Sequence, residues 1–315
     1  MSEWIQSKRG GIILAIIACV LWGSAYPVLK ICFKDMGLAD AGGMSLVAFA
    51  GLRFLLAACI IWLLSLGVLK LKIPRNKEFI RKAIVIGLFQ TTLLYYFFYS
   101  GLSVTSGMKS AILNASGTFF LVVLAHFFLP EDQLNRGKWL GILMGFLGII
   151  AVNWGAGFDL EFSMTGEGFI ILCCLFASIG DILTKKLSGG IHPFLLNAGQ
   201  MTFGSLLLLL VGRDEVVPVL QVLKGRSLIL FFYAALLSAL AFSIWFSVLK
   251  YHKAGEIAVF RFVIPLAGAF LSALFIPGEH FSMKLLLGLL LVCVGIVFVH
   301  QKGLREEFRE NREKS

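Results

Sequence analysis

From Thr105 to Glu131 the chain reads TSGMKSAILNASGTFFLVVLAHFFLPE, and 148 residues later, from Lys253 to Glu279, it reads KAGEIAVFRFVIPLAGAFLSALFIPGE. A glycine at the third position, an apolar run long enough to cross a bilayer and a closing glutamate fall in register. The same shift lays residues 87–99 on 235–247. After the two glutamates the shift becomes 147, pairing Gly141 with Gly288 and Gly148 with Gly295. At a looser shift of 154, Trp22-Gly-Ser24 falls on Phe176-Ala-Ser178. The chain is therefore read as two copies of one unit.

A helix needs about 20 mostly apolar residues to span a bilayer. Six runs, 10–29, 83–108, 110–130, 139–158, 193–212 and 227–249, hold no charge. The runs 44–66, 168–183 and 256–276 hold one deep charge each, Arg53, Asp181 and Arg261, and 285–301 closes the series. Ten helices result, five in each copy. Strands are excluded, since lipid-facing barrels alternate polar and apolar residues and these runs do not. Because five is odd, the second copy enters the membrane from the opposite side. The expected fold is an all-α membrane protein of ten transmembrane helices in two inverted five-helix repeats. The first repeat covers residues 1–155 and the second 156–302, with a charged tail at 303–315. Inverted repeats with a midplane site are the architecture of many secondary transporters.

The bulk composition agrees. Of 315 residues, 58% are hydrophobic and 15% charged, with mean hydropathy +0.89, against about 25% charged in soluble domains. A soluble enzyme, a disordered chain and a nucleic-acid-binding domain are excluded. The net charge of +10 belongs to loops. With the N-terminus inside, 19 Lys and Arg fall on the cytoplasmic face and 7 on the outer one, so both termini are expected in the cytoplasm. Lys8-Arg9 followed by Gly23-Ser24-Ala25 imitates a signal peptide, but removing that helix would leave the sixth without its counterpart. The six cysteines lack metal-ligand spacing and read as small packing residues.

Trp22-Gly-Ser-Ala-Tyr-Pro-Val-Leu-Lys30 and Leu52-Arg-Phe-Leu-Leu-Ala57 resemble the first two helices of EamA-type members of the drug/metabolite transporter superfamily. The half-ends at Glu131 and Gly278-Glu279 are similar to that family's repeat ending, with Gly117 where the fourth helix usually carries proline and Pro265 keeping it on the ninth. The resemblance spans the whole chain. It implies a carrier or exchanger of small organic metabolites, often an exporter of amino acids, in the plasma (inner) membrane of a prokaryote.

A charge inside a membrane helix should face a cavity or a partner. Arg261 and Asp181 lie at similar depth on the cytoplasmic side. Arg261 is the candidate anchor for a solute carboxylate, and Asp181 pairs with it or carries a proton. Arg53 is a second candidate, with a locked pair or carbonyl capping as its structural alternative. Lys109 and Lys30 belong to the outer half, and Lys185 and Lys186 are expected to snorkel. Ser106, Ser110, Asn114 and Thr118 recur every four residues along one face of the fourth helix, as do Thr91, Tyr95 and Tyr99 on the third. Ser243 and Ser247 follow on the eighth. Asn114 is the strongest of these, since lipid cannot satisfy its carboxamide. Trp22, Tyr26, Tyr95, Tyr99 and Trp245 lie on helices that the resemblance places around the pore. Pro27, Gly117 and Pro265, with Gly23, are candidate bending points. Gly141, Gly145 and Gly148 form a close-packing face, repeated at Gly288 and Gly295, so the fifth and tenth helices support the halves or form a homodimer contact.

No cofactor or metal is expected. The partners are a small-molecule substrate and the lipid bilayer, not nucleic acid. A phosphate-ester or nucleotide-sugar antiporter is the alternative carrier, although it calls for more buried Lys and Arg. A membrane-embedded enzyme lacks a carboxylate dyad, Asp181 being the only deep acid.

Overall fold

The computed structural model describes residues 2–38, 42–74, 76–105, 107–153, 162–277 and 283–313. Ser106 and the Gly278-Glu279 half-end lie outside them, as does the side chain of Lys109. Among the described residues every regular element is a helix, with ten long segments. These are α1 (Lys8–Asp35), α2 (Gly43–Val68), α3 (Lys77–Leu102), α4 (Ser110–Phe128), α6 (Met164–Leu187), α7 (Pro193–Val211), α8 (Arg226–Tyr251), α9 (Ala254–Phe275) and α10 (Met283–Glu313), with α5 (Arg136–Asn153) between α4 and α6. Nine of them are long and apolar enough to cross a membrane, counting α10 to His300. A short helix, Ser2–Gln6, precedes α1, and another, Arg213–Val222, joins α7 to α8.

Helix ends follow capping chemistry rather than the limits of the uncharged runs. Helix α3 starts at Lys77, six residues before its uncharged run. Asn76 caps it by accepting from the Phe79 N–H at 2.8 Å, and Glu78 and Lys82 pair one turn apart at 2.7 Å. A membrane helix can project its charged first turn into water, so loss of charge marks the lipid boundary and not the helix start. Helix α10 likewise continues through the charged tail to Glu313.

The packing is pseudosymmetric. Helix α6 lies against α3 and α4, and its counterpart α1 lies against α8 and α9. The polar centre is thus built by two three-helix bundles, α3–α4–α6 and α8–α9–α1. Each takes its inverted member from the other repeat. Helix α2 packs on α7, and α5 on α10. In the α5–α10 contact the backbones nearly touch. A Cβ on Gly141 would lie 3.0 Å from the Gly295 carbonyl oxygen, and one on Gly148 would lie 2.9 Å from that of Gly288. The glycine faces are therefore used within the chain.

Helices α4 and α9 are broken at matching places. The fourth helix divides at Ala115 into Gly107–Asn114 and Ser116–Phe128, where Ala115 and Thr118 donate to the carbonyls three residues back. Helix α9 passes from Ala254–Ile257 through a 3-10 stretch, Ala258–Phe262, into Val263–Phe275. Gly117 and Pro265 each sit in the first turn after the break. Pro265 removes no interior hydrogen bond there, because a first-turn N–H has no partner within its own segment. Pro27, by contrast, lies inside continuous α1.

Candidate functional site

Asp181, fully buried on α6, is the hub of the polar centre. Gln90 Nε2 donates to its Oδ1 at 2.9 Å, and Trp245 Nε1 donates to the same oxygen at 3.1 Å. Arg261 Nη2 forms an ion pair with Oδ2. The Arg261 guanidinium also lies over the Trp245 ring, 5.1 Å from its centroid. The four residues come from α3, α6, α8 and α9, two from each bundle.

Local backbone places them. Gln90 rides on a π-helical stretch, Leu88–Leu93, whose wider turn shifts the register of α3. Gly180 lets Gln90 cross the face of α6, since any Cβ there would collide with the Gln90 carboxamide. Arg261 sits on the 3-10 stretch of α9. The opposing charges offset the cost of removing each from water, and the two further donors satisfy the second carboxylate oxygen. The side chain of Arg261 is 14% exposed, with Nη2 alone engaged by Asp181. Gly117 leaves room beside it, for a Cβ there would stand 3.9 Å from Nη1.

Arg53 is held differently. It is buried at 3% exposure, and its Nη1 donates to the Tyr99 hydroxyl at 3.3 Å. Its guanidinium lies 4.4 Å from the Phe54 ring centroid and 5.9 Å from that of Tyr95. Nε is buried without a partner. Among the described residues it has no carboxylate partner, so aromatic faces supply its counter-field.

The aromatic candidates join these two guanidinium sites. Tyr95 lies 4.2 Å from Phe54 and 6.1 Å from Tyr99, ring centroid to centroid. Trp22 meets Phe242 at 5.0 Å and Trp245 at 5.4 Å, both edge-on, and its Nε1 is buried with no acceptor. Tyr26 is 39% exposed, with its ring against Gly268 of α9. Asn114 ends the first segment of the fourth helix, where its Oδ1 accepts from Cys174 Sγ at 3.4 Å.

The expected continuous polar face of the fourth helix is interrupted. Ser110 and Asn114 precede the break at Ala115 and Thr118 follows it, so the four-residue period does not hold across it. Thr91 faces away from the centre in a chain of side-chain bonds. It donates to Gln200 at 2.8 Å, Gln200 to Asn197 at 2.9 Å, and Asn197 to Ser243 at 3.0 Å. Lys185 does not snorkel. Its Nζ donates to the carbonyls of Lys250 and His252, capping the end of α8 at 3.2 and 2.8 Å.

Sequence reasoning missed Gln90 and Gly180. The available signal was a carboxamide in the middle of an uncharged span, the argument that singled out Asn114. It also missed the buried Asp132–Lys138 pair, whose Asp132 accepts from the Gly255 N–H at 2.7 Å. That pair ties the loop after α4 to the start of α9.

Two inverted halves meeting at a shared polar centre inside an apolar helical shell define an integral membrane transporter of the inverted-repeat class. The profile of the EamA-like transporter family matches residues 9–154 and 164–301, and the chain belongs to that family, the EamA type of the drug/metabolite transporter superfamily. It is 27% identical over 305 residues to "Uncharacterized transporter YvbV" of Bacillus subtilis (strain 168), covering 95% of this chain and 94% of that one. It is 24% identical to "Probable amino-acid metabolite efflux pump" of Escherichia coli (strain K12), covering 95% and 97%. A solved crystal structure shares the fold at TM-score 0.73 and 17% identity, over 96% of this chain and all of that one.

Proposed function

We propose that this transporter is a secondary carrier of a small zwitterionic metabolite, an amino acid or a close relative, working by alternating access between its inverted halves. It would sit in the plasma (inner) membrane with both termini cytoplasmic, as the loop charges suggest. The observation that carries the reading is Arg261. Its guanidinium reaches the meeting place of both bundles, Asp181 engages only Nη2, and the side chain is not fully buried. A planar fork of this kind suits a carboxylate, which it binds through two parallel hydrogen bonds. Trp22, Tyr95 and Trp245 would enclose the apolar part of the solute, with Asn114 and Tyr26 orienting its amine. The name of the Escherichia coli relative agrees with this solute class.

The test is uptake and counterflow in proteoliposomes against a panel of amino acids, phosphate esters and organic cations. Amino acids are expected to drive counterflow and Arg261→Ala to abolish it. Wild-type rates in Arg261→Ala, or counterflow by phosphate esters alone, would overturn the assignment.

A further inference from the structure

The two bundles do not meet equally on the two sides of the membrane. On the side where the chain begins, the first two pieces of α9 (254–262) pack on the Ser116–Phe128 segment of α4, and α6 packs on α8. Lys185 of α6 caps the end of α8, and Asp132 holds the start of α9 through the Gly255 N–H. Inverted symmetry makes the equivalent contacts on the opposite side Gly107–Asn114 with Val263–Phe275, and α1 with α3. Among the described residues no comparable packing joins either pair. Gly107–Asn114 packs on α5 and α6 instead, and Val263–Phe275 on α1 and α10. A loose ring contact between Phe33 and Tyr99, 6.4 Å between centroids, connects α1 and α3.

We infer that this conformation is closed on the N-terminal side and open on the other, that Asp181 with Arg261 and Trp245 is the latch of the closed side, and that a solute carboxylate is the group that releases it. Asp181 belongs to the α3–α4–α6 bundle, whereas Arg261 and Trp245 belong to α8–α9–α1. Both hydrogen bonds from the second bundle to Asp181 therefore cross the interface that must separate for that side to open. The repeat shifts place Pro27, Leu113 and Phe97 where Asp181, Arg261 and Trp245 stand. The opposite gate thus has no charged equivalent of the latch. A carboxylate arriving from the open side meets the guanidinium edge that Asp181 leaves unused, and competes with Asp181 for the cation.

This inference rests on the alternating-access reading above, and its test has a readout independent of transport. Hydrogen–deuterium exchange of the purified full chain reports on both sides at once. In Asp181→Asn, deuterium uptake is expected to rise at 182–187 and 248–257 and to fall at 94–102 and 264–275. Unchanged uptake on both sides would overturn the latch. Uptake raised everywhere signals lost folding. Arg261→Lys, which keeps the charge without the fork, then decides by the same two-sided pattern, and its absence there refutes the latch. For the releasing group, wild-type protein is exposed to L-amino acids and to the alkylamines that lack only their carboxylate. The amino acids should produce the two-sided shift and the amines should not. An equal response to the amines refutes release by a carboxylate. A shift in Asp181→Asn with none from any amino acid would sink the proposed solute class and leave the latch standing.

Discussion

The two arginine centres of this transporter solve one problem in opposite ways. Both guanidinium groups lie where lipid would make a bare charge costly. Arg261 is neutralised by the Asp181 carboxylate, whereas Arg53 is surrounded by Phe54, Tyr95 and the Tyr99 hydroxyl. An ion pair is strong but specific to one geometry, so it suits a contact made and broken in a cycle. An aromatic cage is weaker per contact and persists through small shifts, so it suits a fixed strut. The scaffold around both is symmetric, yet the chemistry is not. Under the proposed alternating access, packing would reverse between the halves while only one half carries the Asp181–Arg261 pair.

The largest test of that contrast is Arg261→Ala. It strands the Asp181 carboxylate in a dry site with only Gln90 and Trp245 as donors. Removing one member of a buried pair costs about 3–5 kcal/mol, which thermal unfolding in detergent should show. The double variant Asp181→Ala with Arg261→Ala is expected to cost less than either single change. Additive losses would mean that the two residues do not act as a pair.

Gln90→Ala comes next. It removes one of the two neutral donors to Asp181 and also deletes a buried carboxamide oxygen that has no partner. A loss of about 1–3 kcal/mol is expected for exposing a charged acceptor's unmet bond, partly offset by that deletion. Thermal unfolding that matches wild type would show that Gln90 only fills space. Tyr99→Phe should be smaller. It deletes the single long 3.3 Å bond to Arg53 and leaves both ring faces in place, so a loss at the low end of the range for bonds to charged groups, about 1.5 kcal/mol, is expected. A larger loss there than in Gln90→Ala would reverse the proposed roles of strut and latch.

These residues also show what a sequence reading can reach. The repeat, the ten long helices and the three deep charges are visible because lipid forbids unpaired charge and enforces span length. Inversion follows from parity alone. The partners of Asp181 are less visible. Gln90 reaches it only because a π turn rotates α3 out of its 3.6-residue period, and Gly180 only because its missing side chain lets a carboxamide cross the helix. Regular periodicity carries no trace of either. The break at Ala115 falls two residues before the candidate bending point Gly117, and nothing in Leu113-Asn114-Ala115-Ser116 itself announces it. In α9 the candidate bending point Pro265 sits just after the change of helix type and not at it.

That displacement supplies the finest comparison, between two prolines that look alike in sequence. Pro27 lies within continuous α1, where it removes a backbone hydrogen bond and its ring crowds the preceding turn. Pro265 lies in the first turn of Val263–Phe275, where the missing N–H is no loss and the fixed φ suits a helix start. Pro265→Ala should therefore destabilise slightly, by about 0.4–1 kcal/mol, through the greater freedom of the unfolded chain. Pro27→Ala has the opposite expectation, since it restores the hydrogen bond that the proline removes. Melting temperatures of the two variants in one detergent read the signs directly. If Pro265→Ala raises the melting temperature instead, the proline strains α9 where it stands and the first-turn reading fails.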